Sequence, residues 1–463
     1  MNDPAFRILG FSIGLCVVAA LWFAARTFRH SVPLSSLALL GMSPSLIVWG
    51  DSIRAYGFGI AVVLMAGALL WRFVEEPSPA RFALAAVAAI ASVHALFYNS
   101  VLLLAFCAGA FAVCALNRAW KKSALVVLIG LVAAISIVPY ATTIRDARRW
   151  DTVVRMPDYD LAWFREMLDE TLRPAGQWAL GVWVVLFALA VFVGVRAVRR
   201  PASLAISPRE REVALFSIVT LVVAVVAIFL FLENLSYYTR PWYYLSLLAV
   251  GAVYIDAVFG AVIHSPAHRI ARLGVVLLIA GATFVPAVHA VRKRMTNVDV
   301  IASRLSAMGR PDDLVLINSS HTAITFARYY RGTARWMTVP FFDFHRFHRY
   351  DIIQKNMMLA DQRAPVRPVI DRARETLRAG HRVFVVGQLD FSTGNEPPNL
   401  LPPAPLPGIE PWPERLYNSQ WSSLVGDFLQ THSTRIVAVP VMVAGPVSDY
   451  ENVQLFTAEG WRP

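Results

Sequence analysis

The strongest constraint on this chain is a succession of apolar runs, each long enough to cross a lipid bilayer. Windows of about 17 to 25 apolar residues fall near 8–25, 33–50, 56–73, 80–97, 99–116, 123–141, 177–195, 213–232, 242–262 and 270–289. A helix satisfies its backbone polar groups internally, as hydrocarbon demands. With 57% hydrophobic and 16% charged residues among 463, and a mean hydropathy of +0.52, the chain has too much apolar surface for one water-soluble core. The runs predict a polytopic α-helical membrane bundle of about ten spans over residues 1–291. Tight connections such as 26–32 and 98–99 make neighbouring spans antiparallel hairpins.

The net charge of +12 belongs to the same picture. Much of the Lys and Arg lies in short loops between spans, where insertion keeps basic residues in the cytoplasm. Arg26, Arg29, Arg72, Arg81, Arg118, Lys121, Lys122, Arg196, Arg199, Arg200, Arg209, Arg211, Arg269 and Arg272 share one side. That side is read as cytoplasmic, and nucleic acid is set aside as a partner. The opposite side is also basic, with six arginines in 142–176 and Arg292, Lys293 and Arg294 after the last run. On this reading the N-terminus, the Asp51 loop, the 142–176 loop and the C-terminal domain lie outside the cytoplasm of a plasma (inner) membrane. Cys16, Cys107 and Cys114 sit inside apolar runs without paired spacing, so neither a disulfide nor a zinc site is expected.

Within the 142–176 loop, Leu161, Phe164, Leu168 and Leu172 recur at helical spacing beside acidic Glu166, Asp169 and Glu170, with Trp163 alongside. This pattern predicts an amphipathic helix lying in the membrane interface; a solvated connector is the other reading. After Arg294 the composition shifts to alternating helix-like and strand-like pieces. Helices are expected at 298–308, 322–330 and 370–379, strands at 314–318, 383–386 and 436–441, and a loop over the Pro-rich 397–413. The alternation predicts an α/β domain over 292–463 with a largely parallel sheet. Gly387 and Gly394 stand alone, so no phosphate-cradling glycine loop is present and nucleotide binding is rejected.

Polar groups at membrane depth are costly to bury and are the first candidates for function. In WGDSIRAYGFG, Asp51, Arg54 and Tyr56 join an acid to a guanidinium suited to a phosphate headgroup, with a plain loop ion pair as the alternative. His94, Tyr98 and Asn99 cluster near the outer end of the fourth run, where His94 either orients a substrate or packs as a hydrogen-bonded core residue. In NLSYYTRPWYYL, Arg240 stands among Tyr237, Tyr238, Trp242, Tyr243 and Tyr244. An interfacial aromatic belt explains the rings; Arg240 is a candidate for a lipid-linked phosphate or a structural anchor. Arg145, Asp146, Arg148, Arg149, Trp150 and Asp151 are read as a sugar cleft or a solvated charged loop. In FFDFHRFHRYD, Asp343, His345, His348 and Asp351 crowd together, and the two histidines could share a helix face. Without a third ligand at a diagnostic spacing, the segment predicts no metal site, and no cofactor is expected.

The stretch SPSLIVWGDSIRAYGFGIAVVLMAGALLWRF resembles a segment of the GT-C-type, polyprenyl-phosphate-sugar-dependent membrane glycosyltransferases, which include protein O-mannosyltransferases and the lipid A aminoarabinose transferase. Ser43, Pro44, Arg54 and Tyr56 match that pattern, and Asp51 stands where the family commonly has Gln or Glu. The Arg72 to Arg81 connection, His94, the Arg240 segment, and DDLVLINSS followed by FARYYRG agree in order. The resemblance implies an inverting transfer of a sugar from a polyprenyl-phosphate carrier to an extracytoplasmic acceptor. Asp51, Arg54, Tyr56, His94, Tyr238 and Arg240 would then bind the carrier or shape its pocket. The chain opens at what corresponds to the family's second span, so the loop bearing the family's catalytic acid has no counterpart, and Asp3 is not given that role. A non-catalytic membrane scaffold and a lipid or solute transporter are the rival expectations.

Overall fold

A computed structural model describes residues 3–28, 32–50, 54–147, 159–236, 238–318, 320–390, 400–405 and 414–463. The chain divides into two compact units, one formed by residues 1–143 and 158–291, the other by 144–157 and 292–463. The first contains helices α1 (Asp3–Phe28), α2 (Pro44–Gly50), α3 (Ala55–Glu75), α4 (Pro79–Ala95), α5 (Asn99–Leu116) and α6 (Trp120–Ser136). These are followed by α7 (Leu161–Leu172), α8 (Ala179–Arg199), α9 (Pro208–Leu235), α10 (Leu245–Val262) and α11 (Pro266–Arg292).

Eight of the described helices are long and apolar enough to cross a membrane, namely α1, α3, α5, α6, α8, α9, α10 and α11. In the fourth of these the helical stretch runs on past α6 to Asp146, whereas α4 is apolar but stops at 17 residues. The segment 33–50, expected as one span, is broken. A turn at Leu34–Ser36 widens into π-helical Leu37–Gly41, and α2 begins only at Pro44. Proline lacks the N–H that would continue the ladder, and its ring crowds the preceding turn, so the helix stops before it. Hydropathy alone registers only that the segment is apolar.

Helix ends elsewhere follow local chemistry. Ser207 caps α9 in a capping box: its Oγ accepts from Glu210 N at 3.3 Å, Glu210 Oε2 accepts from Ser207 N at 2.7 Å, and Pro208 takes the first helical position. Ser78 caps α4 by accepting from Arg81 N at 3.3 Å, with Pro79 at the first helical position. The outward faces are apolar: Leu278 is 74% exposed, Val291 72% and Ile270 71%. Such a surface is stable against hydrocarbon and not against water, which makes the first unit a membrane-embedded helical bundle.

Because lipid tails are as apolar as leucine, helices in a bilayer adhere through close packing. Where α1 and α3 end, the buried rings of Phe28, Trp71, Phe216 and Tyr254 pack at centroid separations of 5.1 to 5.6 Å and tie α1, α3, α9 and α10 together. Helix α5 meets α9 at Gly109, where a Cβ would lie 2.7 Å from the Phe216 carbonyl oxygen. Below this core Asp256 of α10, 2% exposed, pairs with Arg272 of α11 and accepts from Ser36 Oγ at 3.1 Å.

The second unit is an α/β layer. Its strands β1 (Leu314–Ile317), β2 (Arg335–Thr338), β3 (Val383–Val386), β4 (Ser433–Ala438) and β5 (Leu455–Trp461) lie in the order β2-β1-β3-β5-β4. Helices α12 (Val298–Met308) and α13 (Ser320–Tyr329) cover one face, packing on Val315, Ile317, Phe384 and Val386. On the other face α14 (Tyr350–Met357), α15 (Arg367–Arg378) and α16 (Glu414–His432) pack on Leu314, Leu316, Val383 and Val385. With both faces covered, β1 and β3 are buried throughout, so they read as continuous apolar runs. The sheet is mixed, not largely parallel: β2, β1 and β3 are parallel, whereas β5 runs antiparallel to both β3 and β4. No helix lies between β4 and β5, and without a crossover the chain returns antiparallel. The Pro-rich loop expected over 397–413 lies mostly outside the described residues.

Candidate functional site

Arg54 stands between α2 and α3, at the start of the third apolar run. Its guanidinium carbon lies 5.8 Å from the ring centre of Trp49 and 5.4 Å from that of Trp242. The two indoles are 4.4 Å apart, each 9% exposed. A cation over indole rings at such distances gains about 0.5 to 2 kcal/mol. Thus the arginine of the WGDSIRAY segment and the tryptophan of NLSYYTRPWYYL, far apart in sequence, meet in space. Tyr56 lies 6.4 Å from Trp242 and 5.9 Å from Tyr243, and Tyr98 lies 6.3 Å from Tyr243.

Those rings border a cavity of about 280 Å³ lined by Tyr56, Tyr98 and Tyr243 on one side and Ile228, Phe231 and Leu232 of α9 on the other. No carboxylate is among its lining residues. The Tyr98 hydroxyl, fully buried, faces Ser246, and burial holds it above the ordinary phenol value. The cavity is walled mainly by hydrocarbon, with tyrosine rings at one end and the Arg54 guanidinium beyond them, the polarity profile of a lipid.

The Arg240 segment is fixed by the amphipathic helix α7. Helix α7 spans Leu161–Leu172, as its periodicity predicts, with Asp160 capping it by accepting from Trp163 N at 2.8 Å. Phe164 and Leu172 are buried while Leu161 is 68% exposed. Trp163 Nε1 donates to Thr239 Oγ1 at 3.2 Å, Thr171 Oγ1 to the Pro241 carbonyl at 2.9 Å, and Ser45 Oγ of α2 to the Thr171 carbonyl at 2.5 Å. The Tyr244 hydroxyl, wholly buried, lies 2.9 Å from both Thr239 Oγ1 and Tyr159 Oη. These bonds lock α2, α7 and residues 239–244 together and so place Trp49 and Trp242 around Arg54.

Not every expected residue joins this site. Asp51 and Tyr237 lie outside the described residues, as do Arg148, Arg149, Trp150 and Asp151. Arg240 is exposed, with its guanidinium carbon 4.7 Å from the Tyr238 ring centre, and Tyr238 packs in turn on Trp163 at 5.3 Å. His94 turns to α6, where Nε2 lies 3.1 Å from Ser136 Oγ and the ring packs on Tyr140 at 5.5 Å. Asn99 is a structural clamp, donating to the carbonyls of Gly59 at 3.0 Å and Ser92 at 3.2 Å. Trp49 was not singled out by sequence, although its place five residues before Arg54, in an otherwise apolar segment, was an available signal.

In the second unit, residues 341–349 are irregular, so His345 and His348 share no helix face. His345 packs on Trp336 at 4.4 Å and His348 on His321 at 4.6 Å. Burial lowers the His345 pKa, against the pull of Asp343, and favours the neutral ring. Among the described residues no group of three or more His, Cys, Asp or Glu is placed to hold a metal ion. No protein-family model matches the sequence, and neither does any curated protein sequence.

Proposed function

We propose that this membrane protein binds a polyprenyl-phosphate-linked sugar and transfers the sugar to an acceptor outside the cytoplasm, in the manner of the GT-C-type glycosyltransferases it resembles. The observation that carries this reading is the Arg54 guanidinium packed against Trp49 and Trp242 beside a tyrosine-rimmed cavity with an apolar far wall. A phosphate binds the guanidinium by charge-assisted hydrogen bonds, and the first isoprene units lie against Ile228, Phe231 and Leu232. Tyr56, Tyr98 and Tyr243 flank the phosphate end. Tyr238 and Arg240 stand on the exposed rim, available to the sugar or acceptor, and His94 contributes only through α4 packing. The proposed side is extracytoplasmic, with the basic loops from Arg26 to Arg272 in the cytoplasm of a plasma membrane. Asp51 is the acid nearest Arg54 in sequence.

The test uses the full chain in nanodiscs, titrated with polyprenyl phosphate and followed by tryptophan fluorescence. The expected result is saturable binding that Arg54→Gln weakens about ten- to hundredfold, as loss of a charge-assisted hydrogen bond does. Unchanged binding by that variant removes the reading. A transporter reading would rest on the buried Asp256–Arg272 pair. Serines already hydrogen-bond that pair, and beyond Ser35, His268 and Arg272 the crevice beside it is walled by hydrocarbon, so it offers no polar passage.

A further inference from the structure

A second crevice opens at the opposite end of the bundle, between α11, α8 and α10. It has a volume of about 200 Å³, and its walls include Leu186 and Leu189 of α8, Phe259 of α10, and Val275 and Ile279 of α11. Polar groups line one end only: Arg272, His268 and Ser35. Arg272 lies at the depth of the first turns of α11, where Nε donates to Ser35 Oγ at 3.0 Å and Nη2 to Asp256. A guanidinium has five N–H donors, two of which serve these partners. Asp256 balances the charge of Arg272, so the net positive charge at this end is that of Arg269, exposed one turn before it and outside the crevice lining. Val275 is 45% exposed, so the crevice opens sideways toward the hydrocarbon surrounding the bundle.

We infer that this crevice is a binding site for one anionic phospholipid of the leaflet that contacts the Arg269–Arg272 end. The occupant follows from polarity. Lateral opening and hydrocarbon walls select an acyl chain already in the bilayer, and the remaining N–H donors of Arg272 together with the positive charge of Arg269 beside the crevice select a phosphate without a compensating cation on its headgroup. The Asp256–Arg272 pair fixes the guanidinium at the lip of the crevice, so the headgroup meets a positioned donor. The inference stands apart from the Arg54 site and does not depend on sugar transfer.

The experiment is native mass spectrometry of the full chain released from nanodiscs containing equal phosphatidylglycerol and phosphatidylcholine, with a photoactivatable phosphatidylglycerol to map contacts. Phosphatidylglycerol should be retained about tenfold over phosphatidylcholine, with crosslinks on α8 and α11. Val275→Trp fills the crevice and should abolish both signals, whereas Leu277→Trp, at a 62% exposed position on α11 outside the lining, should leave them intact. Leu189→Trp provides the same block from the opposite wall should Val275→Trp misfold. Equal retention of the two lipids, or retention unaffected by both blocking variants, overturns the inference. Stronger retention of added polyprenyl phosphate than of phosphatidylglycerol overturns the assignment to a phospholipid.

Discussion

Cation–π contact fixes a guanidinium without consuming any of its N–H donors, which sets the Arg54 pocket apart from an ordinary ion pair. Arg54→Lys keeps the charge but loses the planar fork. It should therefore bind polyprenyl phosphate with an affinity between those of wild type and Arg54→Gln, measured in the same fluorescence titration. In the second unit, Asp313 is the residue on which an acid response should centre. Its side chain is 1% exposed and accepts from Arg382 Nη2 at 2.7 Å, Arg310 N at 2.9 Å and Arg382 N at 3.0 Å. Burial alone would raise its pKa, but the hydrogen bonds from Arg382 and Arg310 outweigh it and hold the carboxyl below the ordinary range. A depressed folded-state pKa contributes stability above the unfolded value, lost as pH falls through the folded one. Asp313→Asn should cost about 2 to 3 kcal/mol at pH 7 and flatten the acid limb of unfolding below about pH 4, as read by urea melts across pH. Arg54 and Tyr56 were legible as candidates because a charged residue stands out in an apolar run. Their partner Trp242 was hidden, since an aromatic at a membrane interface has a sufficient bland explanation.

At the scale of elements, α7 acts as a clamp for the segment that carries Trp242. Removing one of its bonds by Thr171→Val should cost about 1 kcal/mol and raise amide exchange in residues 239–244, while α9 and α10 stay protected; exchange measured by mass spectrometry checks both. The α7 helix was readable because amphipathic spacing is a direct statement about which residues face the core. So were α12 and β3, found at the expected bounds Val298–Met308 and Val383–Val386. The segment 33–50 was not, because apolarity measures affinity for lipid and says nothing about whether Pro44 lets a helix continue. Strands β2 and β5 were missed for another reason. Arg335 is exposed at the sheet edge, and Gly460 in β5 takes φ +70°, so neither RWMT nor LFTAEGW looks like a strand by composition.

The whole molecule joins a bundle solvated by lipid to an α/β unit with a core of its own. Where that second unit stands relative to the membrane is a question of charge distribution, and the proposed orientation has a direct test. With the three native cysteines replaced, Met442→Cys, at a site 91% exposed, should react with an impermeant maleimide added outside intact cells, while a cysteine at Arg118 should react only after lysis. The reverse pattern inverts the topology and removes an extracytoplasmic acceptor from consideration.

Gly57 carries a consequence for how this sequence is free to vary. A Cβ there would lie 1.7 Å from the Gly50 carbonyl oxygen and 2.7 Å from Ile13 Cγ2, where α3 turns back against α2 on either side of Arg54. Every coding change at that position adds a Cβ, so drift has no small step to take. In a library of random variants selected for activity, position 57 should stay glycine while the neighbouring Phe58, 53% exposed, exchanges freely among apolar residues.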